Sequence, residues 1–165
     1  MSAAARQERD RVRTVLTDGL ASAGLVAEQV DADTWATVLP GQRKRTLPVV
    51  LRLDDRSVHV VALLCGRPDG NHAEVFRYLL ERNRRRQPVH FALGDDGDVV
   101  LVWGVPLVAV DPDSFDRLLG TLLSSADEVF DAVLRRGFAG YIDAEQRWRA
   151  KRGLPSNPVT TPPDA

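Results

Sequence analysis

The sequence predicts an α+β fold: a two-layer domain in the order α-β-β-β-α-β-β-α, with an antiparallel sheet and helices packed on it. Three observations carry this. Stretches with apolar residues at three- and four-residue spacing, the mark of amphipathic helices, are separated by short runs rich in Val and Leu, the mark of strands. Two pairs of those runs are joined by tight turns, at Asp55-Arg56 and at Asp96-Gly97, which makes them antiparallel hairpins. At 165 residues and 18.2 kDa, with 44% hydrophobic and 27% charged residues, the chain suits one domain with a full core.

In chain order, a first helix is expected from Ala4 to Ala23. Val12, Val15, Leu16 and Leu20 form its apolar stripe, and Gly24 ends it. A strand follows at Thr34 to Leu39, with Trp35, Thr37 and Leu39 on one face, and Pro40-Gly41 then leads into a basic loop, GQRKRT. The next two strands, Leu47 to Leu53 and Ser57 to Cys65, place Leu53 opposite Val58, Leu51 opposite Val60 and Val49 opposite Ala62. Their other face sets Arg52 beside His59 and Val50 beside Val61. Asn71 with Glu74 reads as a capping box for a helix whose buried stripe is Val75, Phe76, Leu79 and Leu80. Arg82, Arg84, Arg85 and Arg86 crowd its last turn and Pro88 stops it. Asp111-Pro112 opens the longest helix, which runs to Gly137. A short helix, DAEQRWRAKRG, then lays Trp148 on the body. The domain spans residues 1–153, and residues 154–165, LPSNPVTTPPDA, are expected to be a disordered Pro-rich tail.

The hairpin from Val89 to Val110 bears most directly on function. With Asp96-Gly97 as a two-residue loop, Leu93 faces Val100, Phe91 faces Val102 and Ala92 faces Leu101. One face then holds Phe91, Leu93, Val100 and Val102, the natural core. The other holds His90, Ala92, Leu101 and Trp103, and needs a cover that this chain does not obviously supply. An odd-length loop would shift every one of these pairs. The expected partner-binding surface is therefore Trp103, Leu101 and Val61, with His90, His59 and Arg52 as its polar rim.

A search for chemistry returns little. The P-loop, the Rossmann glycine spacing, the nucleophile elbow and the His-Glu-x-x-His pair do not occur. Asp95, Asp96 and Asp98 lack the EF-hand ligand spacing and read as turn residues. His59, His90 and Cys65 lack the close spacing of a metal site. No enzymatic activity, cofactor or metal is expected. With one cysteine, no apolar span and no signal core, the chain reads as cytoplasmic. A net charge of -1 argues against a protein devoted to nucleic acid. The alternative function is anion or nucleic-acid binding through Arg43, Lys44, Arg45, Arg84, Arg85 and Arg86.

Several motifs point to a family. Trp35 with Leu39-Pro40-Gly41, the run Arg67-Pro68-Asp69-Gly70-Asn71-His72, Leu79-Leu80-Glu81-Arg82-Asn83, Phe91-Ala92-Leu93, Asp116-Arg117-Leu118-Leu119 and Gly137-Phe138 together resemble the YbjN-domain family. The resemblance runs roughly from Trp35 to Trp148. It implies a fold like that of type III secretion chaperones, a label of sensory-transduction regulator with no established reaction, and an expectation from the chaperones of a homodimer that binds another polypeptide. A chaperone-like or regulatory adaptor is the function this implies.

Overall fold

The computed structural model describes residues 3–84, 88–157 and 159. Helix α1 (Ala3–Ser22) leads into strands β1 (Ala27–Asp31), β2 (Thr34–Leu39), β3 (Leu47–Leu53) and β4 (Ser57–Cys65). Helix α2 (His72–Asn83), strands β5 (His90–Leu93) and β6 (Val99–Pro106), and helices α3 (Pro112–Gly137) and α4 (Ala139–Lys151) complete the chain. The strands form one antiparallel sheet in the order β1-β2-β3-β4-β6-β5. No helix among the described residues is long and apolar enough to cross a membrane.

Alternation in β3 decides which side is covered. Leu47, Val49, Leu51 and Leu53 are buried, and Pro48, Val50 and Arg52 are exposed. The buried set meets Val12, Leu16 and Leu20 of α1, Val75 and Leu79 of α2, and the α3 stripe from Phe115 to Val133. All three helices thus serve one face of the sheet. Helix α3 is opened as expected by Asp111, whose carboxylate accepts from the Ser114 N–H at 2.7 Å while the Ser114 hydroxyl accepts from the Asp111 N–H at 2.8 Å. Arg11 fastens α1 to the short 3-10 turn before α3, donating to the carbonyls of Val110 (2.7 Å) and Leu107 (2.9 Å).

The register expected for β3 and β4 is observed pair for pair, including Arg52 with His59 and Val50 with Val61. The register of the β5–β6 hairpin is not. Phe91 faces Leu101, Ala92 faces Val100 and Leu93 faces Val99. The cause is the loop: the Gly94 N–H donates to the Asp98 carbonyl at 2.8 Å and Gly97 adopts φ 81°. Three residues, Asp95, Asp96 and Gly97, therefore separate the closing pair, as in a hairpin with a left-handed glycine at its bulge. Every side chain of β6 moves to the opposite face from the one expected.

Other expectations are also corrected. β1 is an additional edge strand beside β2. Asn71 sits at φ 49° without a side-chain cap, its amide donates to the Arg136 carbonyl at 3.2 Å, and Glu74 pairs with Arg136 rather than closing a capping box. Leu80 points outward, 64% exposed, and Trp148 is 47% exposed, with the Arg152 guanidinium over its ring. Residues 154–157 and Val159 return along α4, whereas the rest of the expected tail lies outside the described residues. Cys65 is buried, and burial raises its thiol to about 11, so it stays protonated at neutral pH.

Helices α1 and α3 pack closely at Gly19, where an added Cβ would run into the Phe115 ring. Gly19→Val is therefore expected to force α1 off α3 and destabilise the fold by about 1–3 kcal/mol, read as a lower midpoint in urea unfolding. An unchanged midpoint would mean that this crossing relaxes freely.

Candidate functional site

The second face of the sheet carries no helix among the described residues, and its side chains follow from the register. One row reads Glu28, Ala36, Val50, Val61, Val102 and His90 across the strands. A second sets Val38 beside Pro48, and Val100 joins Leu63 to Ala92. Val38, Val50 and Val61 are 49%, 44% and 43% exposed. Half-solvated sheets ordinarily alternate apolar inward and polar outward, so valines at outward positions of neighbouring strands form a patch in want of a partner. A shallow depression of about 690 Å³, lined by Val26, Val38, Pro40, Pro48 and Val50 together with Arg45, extends the patch toward β1.

Beside this patch lies a polar strip. Arg52 pairs with Asp54 at 3.1 Å, and His59 Nε2 lies 3.2 Å from Asp54 and 2.9 Å from the Ser57 hydroxyl. Of the residues expected to bind a partner, Val61, His59, His90 and Arg52 share this open face. Leu101 and Trp103 do not: the shifted register sets them opposite Ala62 and Val60 on the helix-covered side, where Leu101 is buried and Trp103 packs against the core. Val50, Val38 and Val102, which sequence reasoning did not select, take their place. The β3–β4 alternation pairs Val50 with Val61, whereas the face of Val102 depends on the length of the β5–β6 loop.

A second apolar groove of about 260 Å³ runs between α2 and β5, lined by Phe76, Leu79, Leu80, Phe91 and Leu93. It borders an edge strand, yet Asn83 occupies part of that edge. Its side chain accepts from the Phe91 N–H at 2.8 Å and donates to the Phe91 carbonyl at 3.0 Å, as a neighbouring strand would.

Of the basic residues expected to bind anions, Arg43 and Lys44 are engaged within the chain. Three consecutive N–H groups, of Gln42, Arg43 and Lys44, donate to the Asp127 carboxylate at 2.9, 2.8 and 2.8 Å. Arg43 pairs with Asp131 at 3.0 Å, the Lys44 ammonium lies over the Phe130 ring, and Arg82 pairs with Glu128 at 2.8 Å. Arg84 is exposed at the end of α2, and Arg85 and Arg86 lie outside the described residues. Among the described residues no three His, Cys, Asp or Glu side chains are grouped to hold a metal.

Residues 8–135 fit the model of a known family, YbjN, described as "Putative bacterial sensory transduction regulator". The chain belongs to the YbjN family. This YbjN protein is 44% identical over 115 residues to an uncharacterized protein of Mycobacterium tuberculosis and 42% identical to one of Mycobacterium leprae. The matches cover 70% of the chain, but only 63% and 62% of those relatives' own lengths. Among solved structures, its fold is that of chains in the ExsC–ExsE complex (TM-score 0.56, 22% identity, 73% of this chain and 92% of that one) and the HopA1–SchA chaperone–effector complex (0.55, 17%, 72% and 92%). A chain of the ExoU–SpcU complex from the type III secretion system of Pseudomonas aeruginosa also matches (0.51, 23%, 68% and 93%). The YbjN fold is thus that of type III secretion chaperones.

The Asp127 latch makes a pH prediction. Burial raises the Asp127 carboxyl's pKa, but three backbone donors and Arg43 outweigh it, so the net direction is downward. A carboxyl lowered by folding contributes stability that is complete above its unfolded value of about 3.9 and is lost as pH falls through the folded value. Asp127→Ala should cost about 1–2 kcal/mol at neutral pH. In thermal melts the gap between parent and variant should close below about pH 4, and a gap that stays constant with pH would contradict the latch.

Proposed function

We propose that this YbjN protein is a non-enzymatic, chaperone-like or regulatory adaptor that binds a segment of another polypeptide across its open sheet face. The observation that carries this reading is the row Val50, Val61 and Val102 beside Val38 and Pro48, apolar and outward-facing on adjacent strands. Burying what remains exposed of each valine returns on the order of 1 kcal/mol, so a handful suffices for a reversible complex once ordering costs are met. Arg52, His59 and His90 flank the valines and supply the polar margin typical of such interfaces. The fold neighbours support the reading, because each lies in a complex with another polypeptide and one is named a chaperone–effector complex. The cytoplasm is the proposed setting, in keeping with a lone buried thiol.

The same reading includes a homodimer, formed through the groove of Phe76, Leu80, Phe91 and Leu93 so that the open face stays available. Because Asn83 already satisfies the edge at Phe91, two copies would meet through side chains rather than by extending the sheet.

Two measurements test the proposal. Val61→Asp, alone and with Val50→Asp, is expected to abolish capture of partner proteins from the native cytoplasm while leaving circular dichroism and melting unchanged. By contrast, Trp103→Ala should cost roughly 2 kcal/mol of stability, less than a fully buried tryptophan would, because Trp103 is partly buried against the core. Partner capture that survives both aspartates would end the open-face reading. In light scattering the parent should be a dimer and Leu80→Asp a monomer; a monomeric parent would end the dimer.

A further inference from the structure

Helix α4 has Ile142 as its only buried residue, and the chain doubles back along it through a turn at Gly153. There the Leu154 N–H reaches the Arg149 carbonyl at 3.1 Å and the Gly153 N–H reaches that of Ala150 at 3.2 Å, which sends the following residues back over α4.

What holds them is a set of directional contacts. The Gln146 side-chain amide treats residue 157 as a strand would, donating to the Asn157 carbonyl and accepting from its N–H, both at 3.1 Å. Arg149 fixes one oxygen of Glu145 at 2.9 Å, which aims the other at the Asn157 amide, 2.6 Å away. The same Arg149 donates to the Pro155 carbonyl at 3.2 Å. The Asn157 side-chain oxygen accepts from the Val159 N–H at 2.9 Å, an Asx turn that presents Val159. Val159 lines a cavity of about 490 Å³ with Leu134, Phe138, Tyr141 and Ile142.

These contacts read both main chain and side chain. Gln146 recognises the backbone of any extended residue, Glu145 selects a side chain able to donate, and the cavity between α3 and α4 takes an aliphatic group two positions later. We propose that this surface of α4 is a recognition site for an Asn-x-Val peptide in an Asx turn, held in cis by Pro155, Asn157 and Val159. A partner polypeptide carrying the same pattern would enter when the cis segment leaves. The site lies on the helix side of the molecule and stands independently of the open-face reading.

The test uses the full chain and a fluorescent peptide with the sequence of residues 154–161, LPSNPVTT. Asn157→Asp together with Val159→Asp sets a carboxylate against Glu145 and removes the apolar anchor, releasing the cis segment without touching the groove. The peptide is expected to bind this variant saturably. Binding to the parent should be at least about tenfold weaker, since a tethered segment competes at roughly millimolar effective concentration. Adding Glu145→Ala and Gln146→Ala should remove binding, as should Asn→Ala in the peptide, and limited proteolysis between residues 153 and 160 should be faster in the released variant than in the parent. Equal affinity for parent and released chain, binding that survives the Glu145 and Gln146 changes, no saturable binding to the released chain, or unchanged proteolysis would each overturn the proposal.

Discussion

Side chains on a strand alternate with a period of two, so the number of residues in a hairpin loop decides which face each one serves. In this protein a third loop residue, accommodated by Gly97 at φ 81°, turns Leu101 and Trp103 to the helix-covered face, where Leu101 is buried and Trp103 packs against the core, and turns half-buried Val102 to the open face. The helices can cover only the face that β3 and β4 have already defined by their alternation. With α1, α2 and α3 all packed on Leu51, Val60 and their neighbours, the opposite face is left with whatever the alternate positions of each strand carry. At Val50, Val61 and Val102 those positions carry valine.

That dependence explains what the sequence made legible. The β3–β4 pairing could be read residue by residue because Leu and Val alternate cleanly around Asp55-Arg56. Strand β1, with the sequence AEQVD, presents no apolar face, is exposed along most of its length, and is held by backbone pairing to β2, so no periodic signal announces it. For Asn71, a left-handed backbone and a hydrogen bond to Arg136 win over the local capping pattern, which is a tertiary contact 65 residues away overriding a four-residue motif. Four of the six residues of the expected partner surface, His90, Val61, His59 and Arg52, lie together on the open face, and for Val61, His59 and Arg52 the β3–β4 alternation is enough to place them. The face of the other two, Leu101 and Trp103, depended on one loop residue. The α4 contacts were invisible for a different reason: Glu145 and Gln146 act through directional hydrogen bonds, which leave no periodicity.

Charge tells a similar story about the basic segments. A run such as Arg43-Lys44-Arg45 suggests an anion site when read alone, but one turn of α3 answers it with Asp127, Asp131 and the Phe130 ring, and Glu128 meets Arg82 nearby. Asp127 engages backbone N–H groups rather than a cationic side chain, so it shapes the loop as well as neutralising it. The acidic turn of α3 and the basic loops thus form one compensated structure that attaches the β2–β3 connection to the helix layer. This is in keeping with the near-neutral charge of the chain.

An exposed apolar sheet face invites edge-to-edge aggregation as readily as specific binding, and the edges of this sheet bear on which occurs. At one end, Asn83 fills the hydrogen-bonding positions of Phe91 that an incoming strand would need. At the other, β1 is short and carries Glu28 and Asp31, charges that oppose a further strand. Lateral growth of the sheet is discouraged at both ends while its face remains apolar, so in the proposed complex a polypeptide would gain more by lying across the valines than by extending the ladder. Association of that kind depends on side-chain complementarity in the ligand, and this gives a surface of simple valines a means of discrimination that strand addition, which reads only backbone, would not provide.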